Sequence, residues 1–430
     1  MLDNGHRSPW LWVPTLYLAE GIPYILVNNI SVALMANMGV PNGKMALFTS
    51  LLYLPWTIKP FWSPFVDIVK TKRWWIVFTQ ILLTACFVGL TLSLPHPDSF
   101  TIAGGNTPIG LFGLMLVFFW ITAFASATHD IAADGYYMLA LDDNEQALFV
   151  GIRSTFYRIA TILGQGGLLY IAGHLARTTQ NIPMAWQITL LVATVLFGVL
   201  TLWHTRALPH SEKSVAAQRT PSDILREFGL TFVSFFTKKG VWLGILFLLL
   251  YRLPEALSLK LIFPFMMSPV EQGGLGLGLD QIGIIYSTIG IICLTVGGIL
   301  GGWYISRVGL KRALWPMALC MTLPCLAFIY LSMMQPSSVV WITLALAIEQ
   351  FGYGFGFTAF MMVMIHISEG TYKTAHYAIC TAFMALSMLL PGMAAGYLQE
   401  QVGYIGFFWL VMICCLPVLL VTFLMRRKLE

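Results

Sequence analysis

The chain has 430 residues and a mass of 47.9 kDa, with 58% hydrophobic residues, 10% charged residues, a net charge of +5 and a mean hydropathy of +0.78. A soluble domain carries about 25% charged residues, so this composition excludes a water-exposed globule, and the small basic excess holds no nucleic-acid signature. The apolar runs are continuous, as in VWLGILFLLLY at 241–251. In lipid the backbone must satisfy its own hydrogen bonds, so continuous runs mean an all-α integral membrane protein, not a barrel of alternating strands.

A helix needs about 20 apolar residues to cross a membrane, and the pattern predicts twelve. The first segment, after MLDNGHRSPWLW, lacks a basic region and a cleavage site, and is expected to remain as a span. The first six spans are expected near 10–36, 44–65, 74–94, 109–130, 146–173 and 185–205, and the second six near 239–267, 279–304, 312–333, 338–365, 372–398 and 404–425. A polar stretch at 206–238 separates them, so the expected organisation is an N-terminal six-helix bundle at 1–205, a cytoplasmic linker, and a C-terminal six-helix bundle at 239–430. With both termini inside, seventeen of the 24 basic residues fall in cytoplasmic segments, two (Lys44 and Arg177) fall outside, and five lie within spans. That bias fits the positive-inside rule. The acidic loop of Asp142, Asp143 and Glu145 runs against it. Seven scattered cysteines without CxxC spacing read as small buried hydrophobes, with no metal site and no cofactor implied.

The halves echo one another. TLYLAEGIPY at 15–24 parallels LLYRLPEALS at 249–258, aligning Glu20 with Glu255, and the basic loop after span 2 has its counterpart after span 8. Such a duplication is the sequence form of a transporter that binds cargo between two repeats at the midplane. YLPWTIKPFWSPFVD at 53–67, HDIAADGYY at 129–137, LLYRLPEALSLKLIFPFM at 249–266 and the stretch at 276–314 resemble the major facilitator superfamily and, within it, the AmpG muropeptide permeases, with acetyl-CoA transporters as more distant kin. His129 stands where that branch has Gln, and LDDNEQA replaces its usual turn. The resemblance implies two pseudo-symmetric bundles in the inner membrane and import of an anhydro-muropeptide or amino sugar. An acyl-CoA-like anion is the alternative cargo. Proton coupling is expected from the buried carboxylates of both halves, and a monomer is expected.

Ionisable residues within spans are costly, and so are the first places to seek function. Tyr17, Glu20, Tyr24 and Asn28 share one helical face, with Glu20 about 15 Å from Trp10. On span 7, Arg252 and Glu255 can meet three residues apart, with Lys260 further along; Glu349, Gln350 and Tyr353 form a similar set on span 10. Glu20, Tyr24, Asn28, Arg158, Arg252, Glu255, Glu349 and Tyr353 are therefore the candidates for substrate binding and proton coupling. Asp130 and Asp134, at the inner end of span 4, can join Arg153 in a gate or a folding staple, or carry protons as a carboxylate pair. The superfamily resemblance implies that Asp67, Lys72 and Arg73, and Arg307, Lys311 and Arg312, form latches. Lys59 is expected to snorkel to the interface, and His129, His366 and His376 to sit at helix ends. Neither a converging nucleophile and base, as an enzyme needs, nor a soluble output domain, as a receptor needs, stands out.

Overall fold

The computed structural model describes residues 8–94, 109–209, 221–370 and 372–429, all helical or in short connections. Span 1 runs over Pro9–Asn37. Span 2 is broken into Asn42–Leu51 and Leu54–Ile68. Spans 3 and 4 are Lys72–Leu92 and Ile109–Ala140. Span 5 joins Asp143–Thr161 to Leu168–Thr179 through a π-turn, and span 6 is Ile182–Ala207. A helix over Pro221–Phe236 follows, inside the stretch expected to be a polar linker. It meets span 7, Val241–Leu250 plus Leu253–Met267, at 92°. Span 8 is Leu279–Val308, span 9 Leu310–Met334 and span 10 Val339–Ser368. Ala375–Lys428 is 54 residues of apolar helix, about 81 Å at 1.5 Å per residue. That is two crossings, spans 11 and 12, turned at Gly403, whose φ of 69° suits a residue without a Cβ.

Prolines set the breaks. Proline lacks an N–H and its ring clashes with the carbonyl four residues earlier. The helices of spans 2 and 7 stop at Leu51 and Leu250, four residues before Pro55 and Pro254, and restart at Leu54 and Leu253. Side chains start other spans: Thr71 accepts from the Trp74 N–H, and Asn181 from that of Met184. The acidic turn before span 5 is a capping box, in which Asp142 accepts from the Glu145 N–H at 2.8 Å and Glu145 accepts from the Asp142 N–H at 3.2 Å. Its charge serves a helix end, which is why it departs from the loop pattern.

Residues 1–34 and 58–228 form one compact unit, and residues 35–57 and 229–430 a second, so the outer half of span 2 is grouped with the C-terminal spans. The first unit packs around Trp12, Leu16, Tyr17, Tyr136 and Phe149. The second packs around Phe247, Tyr251, Phe360, Val363 and Met364. Glycines let helices touch: a Cβ on Gly21 would stand 2.6 Å from Ala160, and one on Gly354 would meet the carbonyl of Leu294. Close backbone approach through small residues is how helices associate where lipid removes the hydrophobic drive. Outward faces stay apolar, with Leu92, Ile299 and Leu416 well exposed to the surrounding lipid. Span 1 is 83% buried over its most apolar stretch, against 39–50% for the other continuous spans, which gives its polar residues protein partners.

Candidate functional site

In the first unit five charged side chains converge from four spans. Span 4 was expected to end near 130, but its helix continues to Ala140. Asp130 and Asp134 therefore lie inside the span, not at its end. Asp130 pairs with Lys59. Asp134 accepts from Arg153 at 2.9 Å and from the Tyr17 hydroxyl at 3.2 Å. The Arg153 guanidinium lies 4.5 Å from the centre of the Tyr17 ring and 5.1 Å from that of Tyr137, a stacking that suits a partly desolvated Arg. The Glu20 carboxyl is buried in the field of Asp130 and Asp134, and its Oε2 finds no donor among the described residues. Two carboxylates are both acceptors, so a hydrogen bond between them requires a shared proton. Three carboxylates against two cations leave one negative charge in excess when all are ionised, and one proton cancels it.

Lys59 thus corrects the expectation that it snorkels to the interface. Its helix runs on through Pro60 and Pro64 to Ile68, which puts Lys59 inside the span. His129 is likewise buried, because the longer span 4 carries it inward. It contacts Gln80 at 2.9 Å; Gln80 contacts His204 at 3.1 Å, and His204 contacts Thr15 at 3.0 Å, tying spans 1, 3, 4 and 6 together. His376 is not at an interface but buried against Ser234 at 2.9 Å, held by the helix over Pro221–Phe236. His366 is partly exposed near a helix end, 3.6 Å from Glu369.

Asn28 is buried where span 1 widens into a π-turn over Leu26–Ile30; its amide donates to the Tyr24 carbonyl, and its Oδ1 has no donor among the described residues. The Tyr24 and Tyr157 rings lie 6.3 Å apart, bringing the polar face of span 1 to span 5. Arg158 is half-buried on the same helix as Arg153. Similar π-turns interrupt spans 5 and 8. Such turns recur at functional sites because they re-aim side chains.

In the second unit the break in span 7 presents Arg252. Its guanidinium donates to both carboxylate oxygens of Glu255 at 2.7 Å and to the Tyr353 hydroxyl at 3.1 Å, over the Phe357 ring at 5.0 Å. Gln350 donates to Glu349 at 2.8 Å and to the Tyr286 hydroxyl at 3.2 Å. The structure therefore gathers Arg252, Glu255 and Tyr353 in one constellation, with Glu349 one turn before Tyr353 on span 10.

The latch candidates behave differently. Lys72 is buried against Gly135, and Arg73 donates to the carbonyls of Thr205 at 2.7 Å and Leu208 at 3.2 Å, closing the end of span 6. Arg307, Lys311 and Arg312 are exposed, with Arg307 5.7 Å from the Trp303 ring. The side chain of Asp67 lies outside the described residues.

Comparison with known proteins identifies the family and the fold. An uncharacterized protein of Haemophilus influenzae is 26% identical over 96% of this chain and 91% of its own length. The anhydromuropeptide permease of Escherichia coli K12 is 24% identical over 96% of this chain and 79% of its own. The crystal structure of a D-xylose-proton symporter superposes with a TM-score of 0.72 at 12% identity, covering 97% of this chain and 96% of the symporter, a likeness of fold alone. Residues 15–372 match the Major Facilitator Superfamily. The chain is a multi-pass membrane transporter related to the AmpG muropeptide permease, not an enzyme, and it belongs to the major facilitator superfamily.

Proposed function

We propose that the chain imports cell-wall-derived muropeptides or amino sugars across the inner membrane by alternating access, driven by protons, with both termini in the cytoplasm. The observation that carries the proton coupling is the Glu20–Asp130–Asp134 cluster with Lys59 and Arg153. Its excess of one carboxylate gives a place for one proton, and a buried site of low dielectric makes the neutral cluster the economical one. A proton taken up from outside closes the Glu20–Asp130 contact; its loss inside leaves two like charges side by side, which favours the return of the empty carrier. The cargo class is supported by the relative named anhydromuropeptide permease. Arg252, held by Glu255 and Tyr353, is the cation placed to bind a cargo carboxylate when Glu255 is protonated.

Reconstitution in liposomes tests this reading. An acid-outside gradient is expected to drive accumulation of labelled anhydromuropeptide, and Glu20→Gln is expected to abolish accumulation against a gradient while sparing counterflow exchange. Accumulation by Glu20→Gln equal to that of the unmodified chain would reassign Glu20 to structure.

A further inference from the structure

We propose that Lys260, Ser50 and Tyr53 form a second anion subsite, built to receive a carboxylate of the transported solute. This rests on the reading of the chain as a carrier of muropeptides or amino sugars, and adds a point of recognition apart from Arg252. All three residues belong to the second unit.

Lys260 lies on the Leu253–Met267 helix of span 7 and is 1% exposed, yet its Nζ has no hydrogen-bond partner among the described residues. Its Nζ stands over the Tyr53 ring, 4.9 Å from the ring centre, where span 2 is broken. A cation–π contact contributes about 0.5–2 kcal/mol and leaves three N–H donors without acceptors. Ser50 is fully buried, and its hydroxyl also lacks a partner among the described residues. Both flank Gly392 of span 11: a Cβ there would strike Ser50 Oγ and stand 3.5 Å from Lys260 Cε. The nearest acid on the same helix, Glu255, is taken by Arg252. Glu400, two turns beyond Gly392 on span 11, accepts from the Gly43 N–H at 2.7 Å.

An ammonium and a hydroxyl with no acceptor, beside a glycine, are complementary to a small singly charged oxygen anion. A fully buried charge without a partner is expensive, and an apolar residue of the same length would pack there at less cost. A phosphate dianion calls for more donors than these two groups supply. The site is shut in this conformation. Asn42 donates to Gln399 at 2.7 Å and to Tyr404 at 3.3 Å, and Gly43 donates to Glu400, so the start of span 2 is clasped to span 11 above Ser50. Release of that clasp would withdraw Tyr53 and Ser50 from Lys260 and open the ammonium to cargo.

The test uses the purified full chain and a pair of probes differing by one carboxylate: N-acetylmuramic acid and N-acetylglucosamine. Thermal unfolding and tryptophan fluorescence titrations are expected to show tenfold tighter binding of the muramic acid. Lys260→Met is expected to remove that preference while leaving N-acetylglucosamine affinity unchanged, Lys260→Arg to keep most of it, and Ser50→Ala to weaken it several-fold. An undiminished preference in Lys260→Met overturns the subsite. Should the unmodified chain bind neither amino sugar, the cargo reading fails and small anions decide the subsite by themselves. Stabilisation by sodium acetate that is lost in Lys260→Met supports it; equal stabilisation of both proteins, or a response to phosphate alone, overturns the carboxylate assignment.

Discussion

Asp130 and Lys59 show how a single pair constrains this protein. Both are mostly buried, and their contact joins spans 2 and 4. Removing one partner of a buried pair leaves an uncompensated charge and costs about 3–5 kcal/mol, whereas replacing both by apolar groups is often neutral. Asp130→Ala is therefore expected to lower stability in detergent by about that amount, with Lys59→Met in the same molecule recovering most of it. Denaturant unfolding of the single and double variants checks this, and equal stability of Asp130→Ala and the unmodified chain would mean that water satisfies Lys59. Glu20 was legible in the sequence because a carboxylate in an apolar run announces its cost. Lys59 obeys the same rule, and the expected span of 44–65 already enclosed it, but a long side chain can reach an interface as well as a partner, and only the structure shows it paired with Asp130. Ser50 gave no signal: its importance comes from Lys260, about 200 residues away in sequence.

At the scale of elements, helix breaks and helix contacts have different legibility. The breaks of spans 2 and 7 follow from Pro55 and Pro254 by local sterics, and the cap before span 5 from Asp142 and Glu145. The extent of span 4 did not follow locally, since HDIAADGYY reads as polar until its acids are seen paired with Lys59 and Arg153. Spans 8 and 10 depend on glycines on both helices: a Cβ at Gly297 would meet the Phe351 carbonyl, and one at Gly354 the Leu294 carbonyl. Backbone atoms cannot step aside as a flexible side chain can. Gly354→Leu is expected to push these helices apart and to cost at least 1–3 kcal/mol as overpacking, read as a lowered unfolding temperature. Gly302→Leu on the same span 8, where a Cβ meets nothing, serves as the control.

For the whole molecule, alternating access requires contacts that form and dissolve each cycle. The clasp of Asn42 and Gly43 with Gln399, Glu400 and Tyr404 is polar and small, and so suited to reversible release. Cysteines at 42 and 399, introduced as Asn42→Cys and Gln399→Cys, are expected to cross-link under mild oxidation and to stop uptake at least tenfold, with recovery on reduction. Uptake that survives full cross-linking would show that the clasp stays shut throughout the cycle. Twelve spans and the repeated Glu20 and Glu255 positions were legible because hydropathy and turn residues act over short stretches. The helix over Pro221–Phe236 was not, because its stretch mixes charged, polar and apolar residues, and it holds His376 only through tertiary packing.

By itself, then, the sequence determined that this chain lives in a membrane, how many times it crosses, and that five of its 24 basic residues lie within spans at a cost needing explanation. Those follow from the transfer of each residue between water and lipid, a property the residue carries alone. Only the tertiary structure decided what surrounds the five. Lys59 and Arg153 meet Asp130 and Asp134, Arg252 meets Glu255, Arg158 lies half-buried on span 5, and Lys260 stands with donors to spare. Charge pairing depends on distances of a few ångströms between helices remote in sequence, and no local pattern encodes those.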